Sequence, residues 1–140
     1  MARHKVQDRD FLDYLEVILI TLPMPPKELS PNARVHWTKK SRAVKSYRAM
    51  AYFETLRVKG NINPEILCGG QIVMSLMFYP VTKRKRDDDN LIASFKSARD
   101  GIAEALGVDD SMIKIKMVNV SYDDKTLEGN VVVALVGNHG

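Results

Sequence analysis

Four cations stand directly against three carboxylates in Lys83-Arg84-Lys85-Arg86-Asp87-Asp88-Asp89-Asn90. In an extended backbone, positions two apart project to the same side, which would pair Asp87 with Asp89. Two carboxylates so placed repel each other unless a cation lies between them. Magnesium suits such a pair, because it takes hard carboxylate oxygens and completes its shell with water or substrate phosphate. The adjoining Lys-Arg run would draw in the phosphate. Carboxylates, divalent ion and phosphate together are the parts needed for metal-assisted hydrolysis of a phosphodiester. Taken singly, each part has a plainer reading that is the better one. Asp88 or Asp89 could serve as a helix N-cap, with the neighbouring acids favouring the positive helix end. The basic run could be a solvated loop. An EF-hand is excluded, since the segment has neither the spaced acids nor the central glycine and terminal glutamate of that loop.

A second acidic pair, Asp109-Asp110, follows Gly107. If one straight helix ran from Asp89 to Leu106, its ends would lie about 27 Å apart at about 1.5 Å per residue. Asp110 would then join Asp87 and Asp89 only if the chain turned back. Asp89, Lys96 and Asp100 recur at close to helical spacing, which could aim Lys96 toward the carboxylates. A Lys96–Asp100 surface ion pair is the plainer and favoured reading.

The whole chain has 140 residues, room for one domain, and a formal net charge of +4. The charge is unevenly spread. Between Pro31 and Gly60 stand Arg34, Lys39, Lys40, Arg42, Lys45, Arg48, Arg57 and Lys59, opposed by Glu54 alone. With Lys83 to Arg86 they form two basic segments against an acidic remainder, a pattern that favours a polyanion partner. The hydrophobic share of 45% and charged share of 27% are those of an ordinary globular chain. Cys68, the single cysteine, offers neither a disulfide nor a metal-binding spacing. Val17 to Met24, the most apolar run, is too short to span a bilayer. The first sixteen residues mix charges of both signs and hold no secretory apolar region. The expectation is a cytoplasmic protein with no membrane partner.

These residues need elements to position them. Residues 1–15 read as an extension and 16–140 as the folded domain. Val17 to Leu22 suggests a buried strand, ended by Pro23-Met24-Pro25-Pro26. Lys27 to Trp37 reads as a loop. Thr38 to Val58 reads as a helix with Val44, Tyr47, Ala51 and Val58 on one face. Ser41, Lys45, Arg48, Tyr52, Thr55 and Lys59 fall on another, favoured as a solvated outer face. Gly60 to Gly70 reads as a turn region. Gln71 to Tyr79 reads as a central strand with both faces largely apolar. Asp89 to Leu106 reads as a helix with Leu91, Phe95, Ala98, Ile102 and Ala105 inward and Gly107 as its cap. Ile113 to Tyr122 and Asn130 to Val136 read as two strands forming a hairpin, with a bulge near Met117-Val118. The sum is an α/β (α+β) domain of two layers, with a mixed sheet and two main helices.

Thr21-Leu22-Pro23-Met24-Pro25-Pro26, then Arg84 to Leu91, then Asp109-Asp110-Ser111 make the sequence resemble the RusA-type Holliday-junction resolvases. These are small endonucleases of bacteria and their prophages, and the similarity runs from about Val17 to Val136. The resemblance implies a RusA-like fold, a homodimer and magnesium-dependent cleavage of four-way DNA junctions in recombination and repair, with manganese as an alternative ion. It maps the family's essential aspartates to Asp87, Asp89 and the later pair, by position Asp110 with Asp109 beside it. The family's helix lysine falls on Ala93 without a gap, which leaves Lys96 as its substitute. Basic residues Lys83, Arg84, Lys85 and Arg86, with Lys39, Lys40, Arg42, Lys45 and Arg48, would then neutralise DNA phosphates. His36 and Trp37 could contact DNA, or Trp37 could be a partly buried anchor. His4 and His139, near the termini, read as inert. A non-catalytic basic DNA-binding protein and a nuclease of other branched DNA stay open beside the resolvase.

Overall fold

The computed structural model describes residues 17–59 and 71–138. The extension at 1–15, the turn region Gly60 to Gly70, Cys68, His4 and His139 lie outside the described residues. Four strands form one mixed sheet: β1 (Ile18–Pro23), β2 (Gln71–Tyr79), β3 (Ile113–Val120) and β4 (Asn130–Asn138), in the order β1-β4-β2-β3. β4 runs antiparallel to both β1 and β2, and β3 is parallel to β2. The helices are α1 (Trp37–Lys59), α2 (Asp88–Ser94) and α3 (Lys96–Leu106), with short 3-10 turns at Lys27–Leu29 and Asp110–Met112. The domain is thus the expected small α+β unit.

Alternation along the strands builds the core. Ile20, Val133 and Leu76 are paired across the sheet and buried, as are Leu22, Val131 and Phe78 in the adjacent row. Tyr47 and Ala51 of α1, with Phe95, Ala98 and Ile102 of the α2–α3 segment, complete this core. Phe95 meets both Tyr47 and Phe78 edge-on at ring-centre distances of 6.2 Å. Two helices approach closely at a glycine. A Cβ placed on Gly101 would stand 2.3 Å from the Arg48 carbonyl oxygen, so α1 and α3 cross at a point only glycine allows.

Four expectations change. β1 is an edge strand with alternate residues exposed, because it pairs with β4 alone. β3 and β4 form no hairpin: β2 lies between them, and the nine-residue link from Ser121 to Gly129 easily crosses two strand spacings of about 4.8 Å. Thr55 faces the core and satisfies its hydroxyl by donating to the Ala51 carbonyl. The long helix is interrupted at Phe95, between α2 and α3. There the Ser94 hydroxyl donates to the Leu91 carbonyl, and the Phe95 N–H is shared between the Leu91 and Ile92 carbonyls. Such side-chain competition for helix carbonyls is a recognised cause of bending. The bulge falls at Lys116, where the β2–β3 register passes from Met74–Ile115 to Ser75–Met117.

Candidate functional site

β1 and β2 end, and β4 begins, at one edge of the sheet. Backbone bonds lace these ends together: the Met24 N–H donates to the Gly129 carbonyl at 2.9 Å, and the Gly129 N–H to the Tyr79 carbonyl at 2.6 Å. Gly129 holds φ at +85°, a value that favours glycine. A cleft of about 520 Å³ opens above this knot. Pro25, Pro26 and Asn32 line one side, and Arg84, Lys85 and Asp87 another. Open sheets commonly bind ligands outside the carboxyl ends of their strands.

The basic loop is held from within. Arg86 donates to the Thr82 and Arg84 carbonyls at 2.8 and 3.1 Å, and to the Thr82 hydroxyl at 2.9 Å. The Tyr122 hydroxyl, arriving from beyond β3, donates to the same Arg84 carbonyl at 2.9 Å. A rigid guanidinium fork suits this task, since it offers several donors in one plane. Arg86 was expected among the DNA contacts; both of its terminal nitrogens are engaged by the loop, while Lys83, Arg84 and Lys85 are exposed. Thr82, Tyr122 and Gly129 were not singled out from the sequence. Tyr122 is 38 residues from its partner, and no local signal links the two.

Asp87 is the N-cap of α2. Its carboxylate accepts from the Asp89 N–H at 2.9 Å, and Asp88 and Asp89 occupy the first turn. The expected same-side pairing along an extended strand is thus replaced by a helix start, in which the Asp87 carboxylate touches the Asp89 backbone. The cap uses one oxygen of Asp87 and leaves the other free. Both aspartates are exposed, as is Lys96 at the head of α3.

The second acidic pair lies elsewhere. Asp109 caps the Asp110–Met112 turn by accepting from the Ser111 N–H, and this bond holds its carboxyl below the usual carboxylate range. Asp110 stands 3.9 Å from Arg99. Because β3 is parallel to β2, with Ile113 beside Ile72 and Val120 beside Phe78, Asp110 sits at the start of that strand pair. Asp87 follows its end. Eight strand residues at about 3.3 Å span roughly 26 Å. Among the described residues, no group of three or more His, Cys, Asp or Glu is placed to hold a metal. By donor chemistry alone, Asp87 and Asp89 suit a hydrated magnesium ion, which often takes only one or two carboxylates plus substrate phosphate.

On α1, Lys39, Lys40, Arg42 and Lys45 are exposed. Arg48, expected beside them, binds Glu104 of α3 through two donors at 3.2 and 2.8 Å. Trp37, which opens the helix, is 73% exposed, so it is no anchor. No helix among the described residues is long and apolar enough to cross a membrane.

No family model matches the sequence. Over 118 residues the chain is 42% identical to a protein of Xylella fastidiosa (strain Temecula1 / ATCC 700964) whose printed description is "Uncharacterized protein". The match covers 84% of this chain and 75% of the relative. The chain belongs to the same family as that protein.

Proposed function

We propose that the chain is a magnesium-dependent endodeoxyribonuclease that resolves four-way DNA junctions as a homodimer. The observation that carries this reading is the cleft wall, where Arg84 and Lys85 stand with Asp87 at the head of the helix that bears Asp89. The resemblance to RusA-type resolvases rests on these same residues.

Arg84 and Lys85 would hold the scissile phosphate over the helix start, and Lys96 would add positive charge nearby. Asp87 and Asp89 would hold magnesium, which supplies charge neutralisation and an acidified water when bound. The sheet topology keeps Asp110 away from this pair within one chain, so a third carboxylate would have to come from a second copy. Lys39, Lys40, Arg42 and Lys45 would carry the DNA backbone outside the cleft.

A non-catalytic DNA-binding protein is the second reading, favoured by the separation of the acidic pairs. A synthetic four-way junction separates the two. Asp89→Asn should lower magnesium-dependent cleavage by roughly 100-fold or more while binding persists. Binding without cleavage under magnesium or manganese would overturn the nuclease. Equal cutting of flaps and junctions would move it to other branched DNA.

A further inference from the structure

Trp37 is the most exposed large apolar side chain among the described residues, at 73%. It is not a loose ornament of a tail, because it forms the first turn of the 23-residue helix α1. His36 stands beside it, with ring centres 5.8 Å apart and planes tilted by 31°. The His36 ring is itself fixed: Nδ1 lies 2.8 Å from the Thr38 hydroxyl oxygen and accepts from the Thr38 N–H at 3.3 Å. Two aromatic faces are thus presented to solvent on a rigid helix start, at a cost in exposed apolar surface that the fold gains nothing from.

The surroundings name the chemistry. Arg34, Lys39, Lys40 and Arg42 are all exposed around the pair. From Pro31 to Phe53 the sequence contains no Asp or Glu. Asn32, in the cleft wall, is five residues from Trp37, a reach of at most about 18 Å. That is roughly five base-pair steps of duplex. A flat aromatic face flanked in sequence by exposed cations, within reach of a cleft with a basic wall, matches the way single-stranded nucleic acid is held: bases stack on aromatics while cations follow the backbone.

We infer that Trp37, flanked by His36, is a stacking platform for an unpaired DNA base. It gives the protein a preference for branched or single-stranded DNA over continuous duplex. Bases inside duplex are already stacked, and taking one out costs a few kcal/mol; bases at a branch point or in a single strand offer a free face. The inference rests on the proposed reading for the identity of the ligand as DNA, and it does not require that the DNA be cut.

Trp37 is the single tryptophan of the chain, so intrinsic fluorescence reports on it alone. The full chain is titrated, in EDTA to prevent cleavage, with an oligothymidylate, a blunt duplex and a four-way junction. The single strand and the junction should quench emission, and the duplex much less. Trp37→Ala should weaken single-strand binding by roughly 5- to 150-fold, the range of one stacked base, while Trp37→Phe keeps most of it. The slope of binding against salt should not change in Trp37→Ala, because the phosphate contacts remain. Far-UV circular dichroism of each variant should match the parent, since the side chain is exposed. No quenching by any DNA, or wild-type affinity in Trp37→Ala, would overturn the inference. So would a blue shift on phosphatidylserine-phosphatidylcholine vesicles without a response to DNA, which would assign the patch to a membrane surface. Quenching without cleavage under magnesium would remove the nuclease and keep the platform. Cleavage without quenching would do the reverse.

Discussion

Tyr47 shows how a single side chain couples the core to the cleft. Buried against Phe95, it sends its hydroxyl to the Pro23 carbonyl at 2.7 Å, where β1 turns into the proline segment of the cleft wall. Burial pushes its phenol above the usual tyrosine range. The neutral form is therefore kept in the folded chain while the unfolded chain ionises above about pH 10. Stability from this group is present below about pH 10 and lost as pH rises toward the elevated folded value. Tyr47→Phe should cost about 0.5–1.5 kcal/mol at neutral pH and flatten the alkaline loss, read by denaturant unfolding between pH 8 and 11. Arg48 gives a second test at this scale. From composition it belongs with the DNA-binding cations, but the fold ties it to Glu104 across half-exposed surface. Arg48→Ala should lower stability by at most about 1 kcal/mol and leave the salt slope of DNA binding unchanged. The composition of the cleft loop was legible in its sequence. The division of labour inside it was not: Arg86 and Arg84 are chemically alike, and only Thr82 and Tyr122 distinguish them.

Among the elements, α1 and α3 pack closely enough to require a glycine. Gly101 lies against the Arg48 carbonyl, and the Lys59 ammonium donates to the Ala105 carbonyl at 2.9 Å, near the end of α3. An added methyl at Gly101 has nowhere to go, because its neighbour is backbone and not a flexible side chain. Gly101→Ala should destabilise by about 1–3 kcal/mol or more, measured as a fall in denaturation midpoint at constant slope. Helical periodicity identified the inward residues Leu91, Phe95, Ala98, Ile102 and Ala105 correctly, because burial of one stripe leaves a local imprint. The break at Phe95 left none, since it turns on one serine hydroxyl and a shared backbone N–H. Strand pairing was the least legible. Ile113–Val120 and Asn130–Asn138 are neighbours in sequence, yet β2 enters between them, and alternation along a strand does not say which strand lies beside it.

At the scale of the described domain, the exposed cations of two segments lie apart from one acidic pair. Lys39, Lys40, Arg42 and Lys45 project from α1, Lys83 to Lys85 from the cleft loop, and the acidic pair Asp109-Asp110 sits at the other end of the β2–β3 pair. On the proposed reading, such a surface would bind DNA with strong salt dependence. If these seven exposed cations meet phosphates, the logarithm of affinity should fall with the logarithm of salt at a slope of about −6, and Lys85→Ala should reduce that slope by about 1. The central claim is that the Asp87–Asp89 pair cuts branched DNA, and the most direct measurement is strand-resolved. A four-way junction carrying a label on each strand in turn is incubated with the full chain and magnesium, and the nicks are mapped. The account predicts paired nicks in two opposing strands, symmetric about the branch point and absent without the metal. Junctions that stay intact while bound by the protein, under magnesium and under manganese, would contradict it.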